Sequence, residues 1–269
     1  MPLVVCATPI GNLEDVTLRV LRELGEADLV LCEDTRRTRT LLDRHGIEAR
    51  LVSYHAHNEA RRVGELLPRL QAGERIALAS DAGLPGVNDP GARLISAAIE
   101  RGVEVTVLPG PSAVETALVA SGLVGERYAF VGYLPRAREA LGRLWEETAG
   151  WSWPVVAFES PKRLSASLRS LADVDAERRV AVCRELTKRF EEVVRGSARD
   201  VAKRFAEPPK GEITLVLGPM AQRDDGSGSA QALEAVRELA AAGIPRRRAA
   251  ELVSDLTGLP RNRLYNDSL

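Results

Sequence analysis

Five short apolar runs within residues 3–108 are separated by amphipathic stretches of helical length, and this alternation restricts the fold more than any other feature. The runs predict strands at Leu3–Ala7, Leu29–Cys32, Arg50–Ser53, Ile76–Ser80 and Val103–Leu108, with helices at 17–26, 35–45, 57–72 and 90–101 between them. Strands joined by helices of this length form a mostly parallel sheet covered on both faces. Punctuation agrees with the pattern. Asp89 followed by Pro90 reads as an N-cap and first helical residue, and Gly102 reads as the stop of the same helix.

The second half keeps the strand and helix signals but loses the regular spacing. Strands are expected at Tyr128–Gly132, Val155–Phe158, Val180–Arg184, Val193–Arg195 and Glu212–Leu217, with helices at 137–148, 161–172 and 198–206, which predicts a mixed sheet. Ser112 and Glu115 have capping-box spacing, so a further helix begins near 113 and stops before Gly122. The expected organisation is an α/β domain over 1–110, a second α/β domain over 111–218, a Gly/Ser-rich linker over 219–230, and a helical appendage over 231–269. Within the appendage, helices at 231–242 and 246–256 joined by "GIP" suit either a helix-turn-helix or a cap packed on a partner subunit.

Charge narrows the functional classes. A net charge of −1 argues against gripping long bare nucleic acid by bulk electrostatics, while leaving room for a local basic face. Arg36, Arg37, Arg39 and Arg44 fall on one predicted helix, Arg61 and Arg62 on the next. Arg136, Arg138, Lys162, Arg163 and Arg246 to Arg248 add further positive charge, and a solvated helix face explains such runs equally well. Cys6, Cys32 and Cys183 lie far apart in apolar runs, so free buried thiols are expected and a metal site is not. The chain opens directly on strand-like "PLVVCA", without a signal layout or a membrane-length apolar run, and a cytoplasmic location is expected.

Three loops after strands carry the chemistry. The first, "ATPIGNLEDVT", has neither dinucleotide nor P-loop spacing, yet Pro9 and Gly11 make a tight turn at a strand's carboxyl end. The second, "SDAGLPGVNDPG" at 80–91, is longer than a plain strand-to-helix connection requires, and its turn-formers fix main-chain groups that can hold a ligand. The third, "PGPSA" at 109–113, brings a helix N-terminus and the Ser112 hydroxyl to the same sheet edge.

These loops, with "CEDTRRTR", "SYHAHNE", "FESPKRL", "CRELTKRFEE" and "KGEITLVLG", resemble the bacterial 16S rRNA (cytidine-2′-O)-methyltransferase family of the tetrapyrrole (corrin/porphyrin) methylase superfamily. The likeness runs in order over residues 3–218, and "LVSDLTGLPRNRLYNDSL" resembles the family's C-terminal segment. It implies a two-domain tetrapyrrole-methylase fold, S-adenosylmethionine as cofactor, a homodimer, and a cytidine ribose of 16S rRNA near the decoding centre as substrate. Implied cofactor contacts are Pro9, Ile10, Asp81, Ala82, Gly83, Leu84, Pro85, Ser112, Ala113 and Phe158, with the strand at Ile213–Thr214 closing over the adenine. Where the superfamily's first loop carries a G-x-G-P-G-D-like sequence, this chain reads "ATPIGN".

Methyl transfer to a ribose hydroxyl needs alignment and gains from a base or a charge stabiliser. Strand-end polar residues supply the candidates: Glu33, Asp34 and Arg36, then His55 and Asn58, then Glu159, Arg184, Glu185 and Lys188. Glu185 and Lys188 are expected nearest the chemistry, and Arg36, His55, Asn58 and Arg184 on the RNA. Each has a plainer reading: Asp34, His57 or Asn58 as helix caps, and Glu185–Lys188–Glu191 as a solvated helical turn. Methylation of a tetrapyrrole carbon or a modified histidine, and a non-catalytic RNA-binding module, are the competing functions.

Overall fold

The computed structural model describes residues 2–219 and 226–268. Residues up to Pro219 pack as one compact unit holding two five-stranded sheets. The first comprises β1 (Leu3–Cys6), β2 (Leu29–Cys32), β3 (Leu51–Ser53), β4 (Ile76–Ala79) and β5 (Val105–Leu108). Their order is β3-β2-β4-β1-β5, and every pairing is parallel. The connecting helices are α1 (Leu18–Glu26), α2 (Thr35–Arg44), α3 (Glu59–Gln71) and α4 (Ala92–Glu100). One face of the sheet buries Leu3, Leu29, Leu31 and Leu78, the other Val4, Val30, Ala77 and Leu108. Burial on both faces explains why these strands read as unbroken apolar runs.

The predicted cap of α4 is wrong. The helix starts at Ala92, with Gly91 in the cap position at φ 137°, a backbone no proline-led first turn can share. Asp89 is therefore released from capping. Gly102, at φ 71°, does end that helix region.

The chain then crosses through α5 (Ala113–Ser121), closed by Gly122 at φ 71°. β6 (Ala129–Tyr133), α6 (Arg138–Ala149), β7 (Val155–Glu159), α7 (Pro161–Val174), β8 (Arg179–Arg184), β9 (Glu192–Ser197), α8 (Ala198–Arg204) and β10 (Ile213–Leu217) follow. The second sheet runs β6-β7-β10-β8-β9 and is mixed: β6 and β7 are parallel, the other pairs antiparallel. α6, α7 and α8 cover one face around Trp145, Leu164 and Leu168. α5 covers the other, and there Ile10 from the first loop joins Val114, Ala117, Ala181, Cys183 and Leu186 in one apolar cluster. That cluster ties the two sheets together. All three thiols are free and buried, and burial pushes those of Cys6 and Cys183 up to about 12.

The remaining residues form a second unit, with α9 (Gly226–Ala241), α10 (Arg246–Thr257) and α11 (Arg261–Asp267) around Val236, Ala249, Ala250, Val253 and Leu264. Residues 220–225 of the expected linker lie outside the described residues, and 226–230, expected to be irregular, already belong to α9. α11 was not expected. Among the described residues no helix is long and apolar enough to cross a membrane.

Candidate functional site

Strand order puts the site where it is. Because β1 lies between β4 and β5, the loops that leave the carboxyl ends of these three strands emerge side by side. Main-chain bonds fasten two of them: the Thr8 N–H donates to the Gly83 carbonyl at 2.8 Å, and the Gly83 N–H donates back at 3.0 Å. The Thr8 hydroxyl donates to the Ser80 carbonyl at 3.0 Å. Gly83 sits at φ 79°, where other side chains are strained. The third loop is drawn in at Gly110, whose missing Cβ would stand 2.9 Å from that of Ala7.

Between these loops and the second sheet lies a cleft of about 1040 Å³. Its apolar surface comes from Ile10, Ala113, Val114, Phe130, Phe158 and Leu186, and its polar surface from Glu33, Asp81, Asp89, Ser112 and Glu212. A smaller pocket of about 300 Å³ adjoins it beneath the first loop, lined by Pro9, Arg37, Thr38 and Lys188.

The structure brings together most of the residues expected at a cofactor. Ile10, Asp81, Ala82, Gly83, Leu84, Ser112, Ala113, Phe158, Ile213 and Thr214 all line the large cleft. Pro9 faces the smaller pocket, and Pro85 is buried within its own loop, lining neither. Ser112 holds the N-cap position, yet its hydroxyl donates to the Glu115 carboxylate instead of accepting from the backbone. Glu115 is pinned in turn by the Tyr128 hydroxyl, and these two donors hold its carboxyl below its ordinary range against the opposing pull of burial.

Glu185 and Lys188 meet, but as a lock. Lys188 Nζ donates to Glu185 Oε1 and to Glu212 Oε2, both at 2.9 Å, and the Glu212 N–H donates to the same Glu185 oxygen at 2.9 Å. That backbone bond, aided by Lys188, keeps the Glu185 carboxyl below its usual value, while the two carboxylates lift the Lys188 ammonium against the opposing effect of burial. Both groups are held charged. Their turn is tightly wound, with Glu185 at φ 53° and Thr187 at φ 62°. It clasps the first loop: the Asn12 N–H donates to Thr187 Oγ1 at 2.9 Å, and a Cβ on Gly11 would lie 2.6 Å from the Lys188 side chain and 2.7 Å from the Leu186 carbonyl.

The residues expected on RNA are scattered. Arg36 is 89% exposed and pairs with Asp34 at 2.7 Å. Asp34 caps α2 through the Arg36 N–H at 2.9 Å, its plainer reading. Asn58 accepts from the His55 N–H at 2.9 Å and lies 3.2 Å from His55 Nε2, while His55 Nδ1 is enclosed without a partner. Neither residue lines the cleft, although His55 stands close enough to Glu33 to favour its charge. Arg184 pairs with Glu192 at 3.0 Å and donates to the Lys210 carbonyl. Glu159, a candidate for chemistry, is consumed structurally: its buried carboxylate accepts from Ser160 N–H at 2.7 Å and Ser167 Oγ at 2.6 Å, and pairs with Arg163.

Sequence reasoning missed three groups at the cleft. Arg37, one position beyond Arg36, lines both pockets and lies 3.5 Å from Asp81. Asp89, read as a cap, lies in the cleft with its carboxyl pushed up to about 7 by burial and by the nearby Glu33 and Asp81 charges. Tyr133 forms an edge-to-face contact with Phe158 at 5.5 Å. A glycine one place earlier in its strand was the available signal for a bulge there.

A parallel sheet whose central loops open into a cleft against a second, mixed sheet is the architecture of the tetrapyrrole (corrin/porphyrin) methylases, and residues 2–202 match the model of that family. Solved structures agree on the fold. Diphthine synthase superposes with a TM-score of 0.63 at 17% identity, covering 80% of this chain and 89% of that one. Uroporphyrin-III-C-methyltransferase from Thermus thermophilus gives 0.56 at 22%, covering 80% and 93%. Within this class, the chain belongs to the ribosomal RNA small subunit methyltransferase I family. It is 43% identical to the Mesorhizobium japonicum member over 98% of this chain and 90% of that one. It is 42% identical to the Thermotoga maritima member over 80% and 97%. Residues 227–267 match the RsmI C-terminal HTH domain.

Proposed function

We propose that this chain transfers the methyl group of S-adenosylmethionine to a cytidine ribose 2′-hydroxyl of 16S rRNA, near the decoding centre. The observation that carries the reading is the large cleft where three strand-end loops meet an apolar wall, with a carboxyl poised near neutrality in its lining. The lining suits the donor. Ile10, Ala113, Phe158 and Ile213 offer apolar surface to an adenine, and Asp81, Ser112 and the main chain of Ala82–Leu84 offer polar partners to ribose and amino-acid tail. When bound, the donor supplies an electrophilic methyl carbon on a sulfonium.

The chain's own residues then align and deprotonate. The Thr8–Gly83 bridge and the Lys188 lock fix the loops, so orientation is settled before the acceptor arrives. Asp89 would accept the 2′-hydroxyl proton as the oxygen bonds to the methyl carbon and the methyl carbon–sulfur bond breaks, leaving S-adenosylhomocysteine as a neutral thioether; Asp89 would later release the proton to water. Glu185 is unsuited to that role, since its hydrogen bonds stabilise the ionised form. Its part, with Lys188, is electrostatic and structural. Arg36, His55, Asn58 and Arg184 contact the RNA around the target, Arg36 at a phosphate. The enzyme works in the cytoplasm as a homodimer, as the family resemblance implies, and sedimentation of the purified protein tests the dimer.

The deciding experiment supplies labelled donor and small ribosomal subunits from cells lacking this enzyme, then maps the modified nucleotide. Label in a cytidine ribose of 16S rRNA is expected; label in a base, in protein or nowhere rejects the reading.

A further inference from the structure

The cleft is large for a ligand pocket. Pockets that enclose a drug-sized ligand span about 300–1000 Å³, and this one, at about 1040 Å³, stands at the top of that range. Its lining is also divided. Apolar side chains come from α5 and the second sheet, carboxylates come from the loops of the first sheet, and Tyr133 lies in the same lining. In a chain with 4% aromatic residues, Tyr133 lines this cleft with 62% of its surface exposed.

Backbone geometry puts the ring there. In an unbroken strand Phe130 and Tyr133 would point to opposite faces. The β6–β7 register shifts between these two residues, and Gly132 adopts φ 70°. The extra residue turns Tyr133 to the side of Phe130, and both rings meet Phe158 edge-on, at 5.0 Å and 5.5 Å between centroids. The opposite side of the bulge is braced by Asn88, itself at φ 60°, whose Oδ1 would lie 3.0 Å from a Cβ on Gly132. Asn88 immediately precedes Asp89. Two unusual backbone positions thus hold an open aromatic ring beside the carboxyl that faces the acceptor.

We infer that Tyr133 is the stacking platform for the target pyrimidine, receiving the base once it is drawn out of the RNA and so placing its ribose over Asp89. The inference rests on the proposed rRNA methylation. Bases recognised in single-stranded RNA are stacked on aromatic rings, and a nucleotide modified by an enzyme is taken out of its helix. In the proposed reading Phe158 and Ile213 meet the donor adenine, which leaves Tyr133, in the same lining, to the acceptor.

The test uses the full chain with Tyr133→Leu, Tyr133→Phe and wild type. Methyl incorporation into unmodified small subunits and calorimetric binding of S-adenosylhomocysteine are measured in parallel. Tyr133→Leu should lose roughly 5- to 150-fold in kcat/KM, the range set by one base–aromatic stack, mainly through KM for the subunit. Its S-adenosylhomocysteine affinity should stay within about twofold of wild type, and Tyr133→Phe, which keeps the ring, should restore KM; a residue with only a packing role would not give the KM-selective loss. An unchanged KM in Tyr133→Leu overturns the inference, as does weakened S-adenosylhomocysteine binding, which would assign the ring to the donor. Failure of wild type to methylate subunits strikes the proposed function instead, and is seen before any variant is compared.

Discussion

Two groups of ionisable side chains flank the first loop, and they stand in opposite electrostatic conditions. Glu185, Lys188 and Glu212 neutralise one another through three contacts of 2.9 Å, one of them a backbone bond. Glu33, from the loop after β2, meets Asp81 and Asp89, both from the loop after β4, with Arg37 as the nearby cation, 3.5 Å from Asp81. Paired charges are quiet. Burial, aided by the like charges of Glu33 and Asp81, raises the Asp89 carboxyl and so favours a proton there. Fold-building and reaction thus use the same residue types, distinguished only by whether partners are present.

The strongest way to break this contrast is Asp89→Asn. A general base contributes about 10²- to 10⁴-fold, and a loss of that order in single-turnover methyl transfer is expected. Wild-type rate should climb with pH through about 7, and the variant should lose that limb. Stability should move the other way. The folded value lies above the unfolded 3.8, so Asp89's contribution is full below 3.8 and is lost as pH rises through about 7. At pH near 8 the variant should melt at the same temperature as wild type or higher, as expected where activity and stability conflict. A variant both active and less stable would show that Asp89 is structural.

Next in size is Gly211→Ala. Gly211 sits at φ 98°, and its Cβ would fall on the Glu185 side chain. Positive-φ strain of about 1–2 kcal/mol adds to overpacking of about 1–3 kcal/mol, so a loss of about 2–5 kcal/mol is expected in denaturant unfolding. Gly11→Ala should cost less, because Gly11 has no positive-φ backbone to strain, although its Cβ would meet the Leu186 carbonyl as well as the Lys188 and Thr187 side chains. If Gly211→Ala unfolds like wild type, the lock is looser than its contacts imply.

The locked group and the poised group were unequally visible in the sequence. Apolar runs located all ten strands to within a residue or two at most ends, because burial on both faces leaves no polar interruption in β1, β2 and β4. The loops at 80–91 and 109–113 declared themselves through proline and glycine density. Asp89 did not, since Asp-Pro-Gly is both a cap signal and a turn signal, and only Gly91's φ of 137° decides between them. Tyr133 was hidden by the bulge, which overrides the two-residue alternation on which strand reading depends. α11 was hidden by brevity: seven residues with one buried side chain, Leu264, show no periodicity. Glu185 and Lys188 were found as a pair, but spacing alone could not say that Glu212, twenty-four residues beyond Lys188, would complete and quiet them.

A gentler probe of the locked group is Lys188→Ala, which leaves Glu185 and Glu212 facing each other without their cation. These groups are partly exposed, so about 1 kcal/mol is expected after allowing for solvent screening. Glu185 is depressed, so its contribution is present above its unfolded 4.5 and lost as pH falls through the lower folded value. Lys188 is raised, so its contribution is present below its unfolded 10.5 and lost as pH climbs through the higher folded value. The melting deficit of the variant should therefore be steady between these limits and close on the acid side of 4.5. A deficit centred near pH 7 would mean the lock is coupled to Asp89.

The smallest effect should come from Arg36→Ala, and it sharpens the comparison by contrast with its neighbour. Arg36 is 89% exposed, and its one carboxylate partner, Asp34, is already occupied as the α2 cap. A surface pair of this kind contributes about 0.2–1 kcal/mol, so melting should barely change. What remains is a cation that can reach a phosphate. Losing one such contact should raise KM for the small subunit at every salt concentration and lower the slope of log affinity against log salt by about 1. Arg37→Ala should behave differently, because that side chain faces Asp81 and lines both pockets. Removing it leaves the acidic group without its nearest cation, which raises the Asp89 carboxyl further and moves the rising limb of the rate profile to higher pH, with little change in salt slope. If the two variants share one salt slope and one pH profile, neither arginine has been assigned to the right partner.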